Sequence, residues 1–526
     1  MAAIDVAGAA LPAAPRELEI PAPVDVPDHA TTEQVRALTV RYVIASTLLL
    51  LVAGALGGII RQSQAEVHRI SDGLWYVLMT AHGLGAFVGW AAFALMGLSF
   101  WILAENDFPL GRWAWRFARV TWWFMVVGVA IIVITTLSYN FAGSWVFLYP
   151  LPLESAGQWS DTTAAIFCFG VIVVGLSILA YCAAILATVC GTGLGAKSKG
   201  IFNRFGCAMG FGYLWPKRFA TERPLPFAVI PLTVIGIDMI IATLPLAVLL
   251  VLVIVQAIEP SVTVDPILAK AMLWWFGHPV VYLLLFPAVS VYYHLIPRYS
   301  GRGLVAGHVI AVAWLIAVIT NVIIGFHHMY TDFPDSVTQW INTWSQPLTY
   351  AVTIPSALSL FSLAFTIYRS EFVWTPASRF LAVALMSWMV AGFQGVALAT
   401  IQYDAVAHNT LWVVGHFHNM ALLHIGFVIF GCVYAFVPQL IGRDWFSHRL
   451  ADWHMVLTLV GGYGSVVPWL IQGLNGAPRR WAVLPDQYLT ASQIAIPFIL
   501  LIVVGQALFA YNLAVTLGWR WVSASL

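Results

Sequence analysis

In this 526-residue chain, the tetrapeptide Gly-His-Phe-His at 415–418 carries two histidines two positions apart. At about 100° per helical residue, His416 and His418 project about 200° apart, so one helix could hold a metal ion on each side. His82 in Thr-Ala-His-Gly, His278 in Trp-Phe-Gly-His-Pro and the pair His327-His328 also lie in apolar stretches. A buried imidazole in such a setting is costly and reads first as functional. Imidazole suits copper and haem iron alike, so the chemistry to expect is ligand binding or electron transfer at a metal. Six imidazoles are enough for a three-ligand copper, a haem held from both sides and a haem held from one. Spacing alone does not make that partition.

The elements that carry these residues are membrane spans. The chain is 61% hydrophobic and 9% charged, against about 25% charged in ordinary soluble domains. A span needs about 20 apolar residues. Twelve such segments are expected, at about 40–61, 73–104, 118–140, 163–191, 226–257, 267–296, 303–328, 346–369, 377–402, 410–441, 450–474 and 492–519. The fold class is therefore all-α integral membrane, with one twelve-helix domain over 39–526. Residues 1–38, rich in Ala, Pro and acids, are expected to be a disordered cytoplasmic tail rather than a cleaved signal. Net charge is +1, which gives no nucleic-acid footprint. The five cysteines show no Cys-x-x-Cys pair and read as small core residues.

Lys and Arg placement sets the orientation. Arg112, Arg116 and Arg119, the 192–225 cluster, Arg298 and Arg302, Arg369 and Arg379, and Arg443 and Arg449 fall in alternate loops. The loops 141–162, 258–266, 329–345 and 403–409 contain neither residue. Both termini are thus expected in the cytoplasm. Arg61, Arg69, Arg479 and Arg480 are exceptions on the outer side. In this topology helices two, six and ten enter from outside, helix seven ends there, and all six histidines share one outer layer.

Trp-Phe-Gly-His-Pro-Val-Val-Tyr (275–282), His327-His328 and Val-Ala-His-Asn-Thr-Leu-Trp-Val-Val-Gly-His-Phe-His (406–418) together resemble subunit I of haem–copper terminal oxidases. The resemblance runs from about His82 to Arg480 and is nearest to the B family, the ba-type cytochrome c oxidases. It implies His278, His327 and His328 as ligands of one copper, His416 as axial ligand of a high-spin haem, and His82 and His418 as ligands of a low-spin haem. It further implies that Asp404, His408, Arg479 and Arg480 hold haem propionates, which would explain two of the outer arginines. The low-spin haem would be b-type and the high-spin haem a- or o-type. The implied reaction is reduction of O2 to water coupled to proton translocation in a bacterial or archaeal cytoplasmic membrane.

Tyr282 lies four residues after His278, on the same helix face. In the family this tyrosine is cross-linked to the copper-ligand histidine and supplies an electron and a proton. It favours O2 over nitric oxide reduction, the alternative within the superfamily. Tyr293 lies eleven residues further, within about 20° of the same face and roughly 16 Å inward. Ser359, Ser362 and Thr366 form a hydroxyl stripe on helix eight, which Ser356 extends; the resemblance makes these residues a proton path. Val289 stands where the ba-type pattern has a tyrosine, so water or Ser290 has to bridge. Val280 replaces the glutamate of A-family enzymes, so their second proton route is not expected.

The other intramembrane polar residues read as structural: His294, His308 and His424 as hydrogen-bonding residues, Asp238 as a buried hydrogen-bonded acid, and Trp274 and Trp275 as packing around the metal site. A proton-coupled transporter is the non-enzymatic alternative, disfavoured by clustered histidines and the lack of a visible repeat. No Cys/Met/His copper-relay motif is present. A second subunit with a dinuclear copper centre is therefore expected, fed by cytochrome c or a small copper protein, with quinol as the alternative donor.

Overall fold

The computed structural model describes residues 29–191, 200–221, 224–332 and 339–525. Among these, twelve helices are long and apolar enough to cross a membrane: α1 (Thr32–Gln64), α2 (Asp72–Glu105), α3 (Arg112–Ser138), α4 (Asp161–Val189), α5 (Val229–Ile258), α6 (Pro266–Ser300), α7 (Gly307–Met329), α8 (Ile341–Ile367), α9 (Pro376–Ala399), α10 (Leu411–Ile441), α11 (His448–Leu474) and α12 (Asp486–Gly518). Each coincides with an expected span. The described residues contain no strand, only isolated bridges pairing His29 with Gly111 and Thr410 with Pro478.

The ends of the helices are set by local chemistry. α1 begins at Thr32, so residues 32–38 are helix and not tail as expected. Thr31 and Gln34 form a capping box there, and Val35 and Leu38 already face the core. Residues 1–28 of the expected tail lie outside the described residues, as do Lys197, Lys199 and Arg223 of the basic loop. α9 stops at Ala399, short of the expected 402, because Thr400 turns extended. The apolar residues divide between core and bilayer by helical period. On α5, Leu244, Val248, Val251 and Val255 recur at intervals of four and three and are exposed, whereas Leu246, Leu249, Leu250 and Val253 are buried.

Three of the histidine-bearing helices depart from regular geometry beside those histidines. α2 widens into a π-helical stretch over Gly85–Ala92, just after His82, and α10 does the same over Asn419–Gly426, just after His418. The last turn of α7, Ile324–Met329, tightens to 3₁₀ and presents His327 and His328. α6 breaks at His278, because Pro279 has no N–H to continue the ladder. π-bulges and 3₁₀ turns re-aim side chains at the expense of regular hydrogen bonding, and they gather at functional sites.

Close backbone approach holds α10 against α11. A Cβ placed on Gly473 would lie 2.0 Å from the Trp412 amide nitrogen, so no side chain fits there. Gly473→Ala should therefore cost about 1–3 kcal/mol in overpacking, seen as a lower thermal midpoint by circular dichroism in detergent. Gly303→Ala, whose added carbon meets nothing within 4 Å, should leave the midpoint unchanged. Equal midpoints for the two variants would show that the α10–α11 contact is not tight.

Candidate functional site

A cavity of about 910 Å³ opens among the helices, and all six histidines of the expected layer line it. In its first part, His82 and His418 face each other with ring centroids 6.1 Å apart and planes within 10°. His82 Nδ1 lies 2.7 Å from the Ala53 carbonyl, and His418 Nδ1 lies 2.8 Å from the Val414 carbonyl. A carbonyl only accepts, so both Nδ1 atoms must carry the proton and both Nε2 atoms keep a lone pair. Two metal–imidazole bonds of about 2 Å each, added to the rings' own radii, match the observed separation. Gly57 makes room for this arrangement: a Cβ there would fall 2.5 Å from His82 Cε1.

In the second part, nitrogen atoms of His278, His327 and His328 all lie within 4.8 Å of one another. His278 Nδ1 and His327 Nε2 are 3.0 Å apart. His327 Nδ1 donates to Thr349 Oγ1 at 3.2 Å, and that hydroxyl donates to the Ser345 carbonyl at 2.6 Å. This chain fixes the tautomer that leaves His327 Nε2 free as a ligand. His328 stacks on Trp274 at 4.0 Å and 12°, so the indole expected as packing also orients an imidazole. The buried Nε2 atoms of His278 and His328 have no hydrogen-bond partner in the protein, and neither does His416 Nδ1. For His328 and His416 an orphaned imidazole nitrogen beside a cavity fits a metal-binding site, whereas in His278 it is Nδ1 that faces the cluster. His416 stands near Trp412, with ring centroids 6.1 Å apart and planes 22° apart.

One rim of the cavity is cationic. Asp404, His408, Arg479 and Arg480 all line the cavity, and His408 Nδ1 donates to Asp404 Oδ2 at 2.9 Å. The two loops are tied together by Leu411 N to Ala477 O at 2.8 Å and Arg479 N to Asn409 O at 3.0 Å. Among the described residues no carboxylate lies within ion-pair distance of Arg479 or Arg480. Burial pulls the Arg479 guanidinium down to about 9, with Arg480 pushing the same way and Asp404 opposing. Burial also lowers Arg480. Two cations held this way favour an anionic ligand group.

On the inner side of the metal cluster, the Tyr282 and His278 ring centroids are 4.7 Å apart. Tyr293 donates to Ser359 Oγ at 2.7 Å and accepts from Trp314 Nε1 at 3.2 Å. A void of about 10 Å³ is bounded by Tyr282, Val289, Ser356 and Ser359. Ser362 donates to the Val305 carbonyl, and Thr366 Oγ1 donates to Ser362 O at 2.7 Å while accepting from Val305 N at 3.1 Å. Ser290 does not bridge as expected, because its hydroxyl donates to the Ala228 carbonyl on another helix.

The remaining polar residues have their own partners. His294 bonds Glu105 at 3.1 Å and Asn106 at 2.9 Å, His308 contacts Tyr213 edge-on, and His424, Trp388 and Tyr292 form a group of near-parallel rings. Asp238 accepts from Asn321 at 2.6 Å. Arg69 pairs with Asp72 at the exposed surface. Sequence reading missed two site residues. Thr349 gave no signal, since one threonine on an apolar helix is unremarkable. Arg61 lines the cavity with its guanidinium 4.4 Å above the Trp469 ring, and its signal was visible as a positive charge on the wrong side of the membrane.

Comparison with known proteins agrees with this geometry. The family model described as cytochrome c and quinol oxidase polypeptide I matches residues 37–517. A cytochrome c oxidase polypeptide 1 of Halobacterium salinarum is 31% identical over 256 residues, 49% of this chain and 42% of that protein. The Thermus thermophilus cytochrome c oxidase subunit 1 is 30% identical, over 48% of each chain. That of Pecten maximus is 26% identical over 77% of each. The matches thus span less than half of the Halobacterium and Thermus relatives. A solved heme-copper terminal oxidase dimer superposes with a TM-score of 0.75 over 92% of this chain and 84% of its own, at 20% identity, which shows a shared fold.

The three-histidine cluster should bind one transition-metal ion per chain, measured by elemental analysis of the purified protein. His278→Ala should abolish that metal. Thr349→Val, which removes the hydroxyl orienting His327, should weaken the affinity by roughly 10–100-fold. Wild-type metal content and affinity in both variants would sink the assignment.

Proposed function

The chain belongs to the cytochrome c and quinol oxidase polypeptide I family, the subunit I of haem–copper oxidases, and on that premise we propose that it is the catalytic subunit of a B-family terminal oxidase that reduces O2 to water and translocates protons. The observation that carries this reading is the pairing of two sites in one cavity: three imidazoles with ligand atoms within 4.8 Å of one another, and a facing imidazole pair with parallel rings 6.1 Å apart.

In this reading His278, His327 and His328 hold one copper. His416 holds the iron of a high-spin haem of a or o type, and His82 and His418 hold a low-spin haem, b-type. Asp404, His408, Arg479 and Arg480 hold propionates on the outer rim, where the unpaired guanidinium groups favour carboxylates. When bound, the metals hold dioxygen and deliver electrons to it.

The protein's own residues then handle protons and geometry. Tyr282 keeps its phenol proton beside the copper-ligand cluster and releases it, with an electron, towards the reacting oxygen. His278 Nε2 has no hydrogen-bond partner and the Tyr282 ring lies alongside, so a link between the two rings is sterically natural; forming it would remove the Nε2 proton and one hydrogen of the phenol ring in a two-electron oxidation, with dioxygen, the substrate in this reading, as the oxidant. Tyr293 hands protons to Ser359, whose neighbour across a water-sized void is Tyr282. Ser356 lines that same void, while Ser362 and Thr366 continue the hydroxyls inward. The Lys/Arg distribution supports both termini in the cytoplasm, so protons enter from that side. Electrons arrive from a second subunit with a dinuclear copper centre, supplied by cytochrome c or a small copper protein, with quinol the other candidate donor.

The purified complex should show two haem spectra, only one of them shifted by carbon monoxide. Tyr282→Phe should lower O2 turnover by roughly 10²–10⁴-fold with both haem spectra retained, and His278→Ala should abolish it. Rapid nitric oxide consumption without O2 uptake would replace this reading with a nitric oxide reductase. A colourless protein would return it to a transporter.

A further inference from the structure

Asp238 is an acid in the interior of the bundle with half of its carboxyl group unpartnered. It lies in α5, and its Oδ2 accepts from Asn321 Nδ2 of α7 at 2.6 Å. The other oxygen, Asp238 Oδ1, has no hydrogen-bond partner in the protein, and neither has Asn321 Oδ1. Both residues are 0% exposed. Two complementary side chains thus meet through one hydrogen bond, and each keeps one oxygen without a donor. Among the described residues no Lys, Arg or His lies within ion-pair distance of Asp238.

An ionised carboxylate does not suit this setting. It could only accept, so it would leave Asn321 Oδ1 orphaned and hold a bare charge in a dry interior. The surrounding helices offer no compensation. α5 packs against α4, α6 and α7. The titratable groups within electrostatic reach of Asp238 are the Cys182 thiol of α4 and the Tyr282 phenol of α6, and neither is a cation. α7 supplies the neutral Asn321. A hard divalent cation would need about six oxygen ligands, and this pair offers two. A neutral acid resolves the arrangement. Its O–H has the free oxygen of the same amide to donate to, while the amide N–H keeps its bond to the acid's carbonyl oxygen.

We propose that Asp238 holds a proton in the folded protein, as a neutral acid in a two-point pair with Asn321, and so forms a proton-binding site in the bundle separate from the hydroxyl path. The pair ties α5 to α7 six residues before His327. It does not depend on which metals the cavity holds. The bound proton has a thermodynamic consequence. In the unfolded chain an aspartate ionises above about pH 4, so at higher pH folding takes up a proton at this position. Relative to a variant that cannot titrate there, wild type therefore loses stability as pH rises, by up to about tenfold in the unfolding equilibrium per pH unit. An Asp238 ionised in the folded state would give no such slope.

The test combines infrared spectroscopy with thermal unfolding of the purified protein in detergent, using Asp238→Asn and Asn321→Val beside wild type. The difference spectrum of wild type minus Asp238→Asn should contain the carbonyl stretch of a protonated carboxyl group at about pH 7. Asp238→Asn can form an amide–amide pair at the same two points, so it should fold and keep the wild-type metal content. Its unfolding midpoint should gain on that of wild type as pH rises from about 5 to 7. Asn321→Val removes the donor to the acid's carbonyl and should move its stretch to higher frequency, a readout that needs no Asp238 variant. A carboxylate stretch in place of the acid stretch overturns the proposal. So does a midpoint gap that is independent of pH, or a stretch that Asn321→Val leaves in place. A wild-type midpoint raised by sodium or potassium salt, with Asp238→Asn unaffected, would put a cation between the two oxygens and overturn it as well.

Discussion

An imidazole inside a bilayer must have each ring nitrogen assigned, and that requirement shapes the centre of this protein. A ring nitrogen in a dry interior needs a proton acceptor, a proton donor or a metal. Here one nitrogen of His82, His418 and His327 is matched by protein: the Ala53 carbonyl, the Val414 carbonyl and the Thr349 hydroxyl. The opposite nitrogen of each is thereby left with a lone pair directed into shared space. Ligand geometry is thus decided before any metal arrives, by groups that are not ligands themselves. The backbone follows the same demand. The π-helical stretches after His82 and His418 and the 3₁₀ turn at His327-His328 are places where the helix gives up regular bonding beside those rings.

The large features were legible because they rest on composition and on a single helical period. Twelve apolar runs become twelve helices, and the six histidines come to line one cavity. What could not be read depends on contacts between segments far apart in sequence. Nothing local distinguishes Thr349 from other membrane threonines, since its meaning comes from His327 on another helix. Ser290, next to the stripe position Val289, was one of two expected bridges, yet its hydroxyl donates to the Ala228 carbonyl on another helix, which leaves water as the other. The start of α1 was misplaced because a run of polar residues hid a capping box at Thr31 and Gln34. Local hydrophobicity is a weaker guide to helix ends than caps are.

Charge placement around the cavity follows the same logic as the imidazoles. Positive residues normally mark the inner face of a membrane protein, so each arginine expected on the other side needs its own account. Arg69 has one at the surface in Asp72. Among the described residues no carboxylate lies within ion-pair distance of Arg479, Arg480 or Arg61, and all three line the cavity. Asp404 is the acid on that rim, and it accepts from His408. The protein therefore presents a net positive mouth above an apolar pocket. A flat apolar ligand with anionic edges suits such a shape, and its apolar body buries surface that water would otherwise have to wet.

The replacement of a stripe tyrosine by Val289 bears on how protons could reach Tyr282. A hydroxyl at that position would have continued a line along α6 itself. Valine closes that line, and Ser290 is turned to another helix. The space beside Val289 is not filled, however. A small void remains there, and its wall includes Ser356 and Ser359 of α8. Tyr293 already donates to Ser359, so in the proposed reading a proton would pass from α6 at Tyr293 to Ser359 on α8 and cross that void to Tyr282. Such a crossing depends on that void, whose volume of about 10 Å³ sits at the lower limit for a single water. In that reading the void and the histidine cluster are separate features, so filling the void would interrupt proton delivery without removing an imidazole from the cluster.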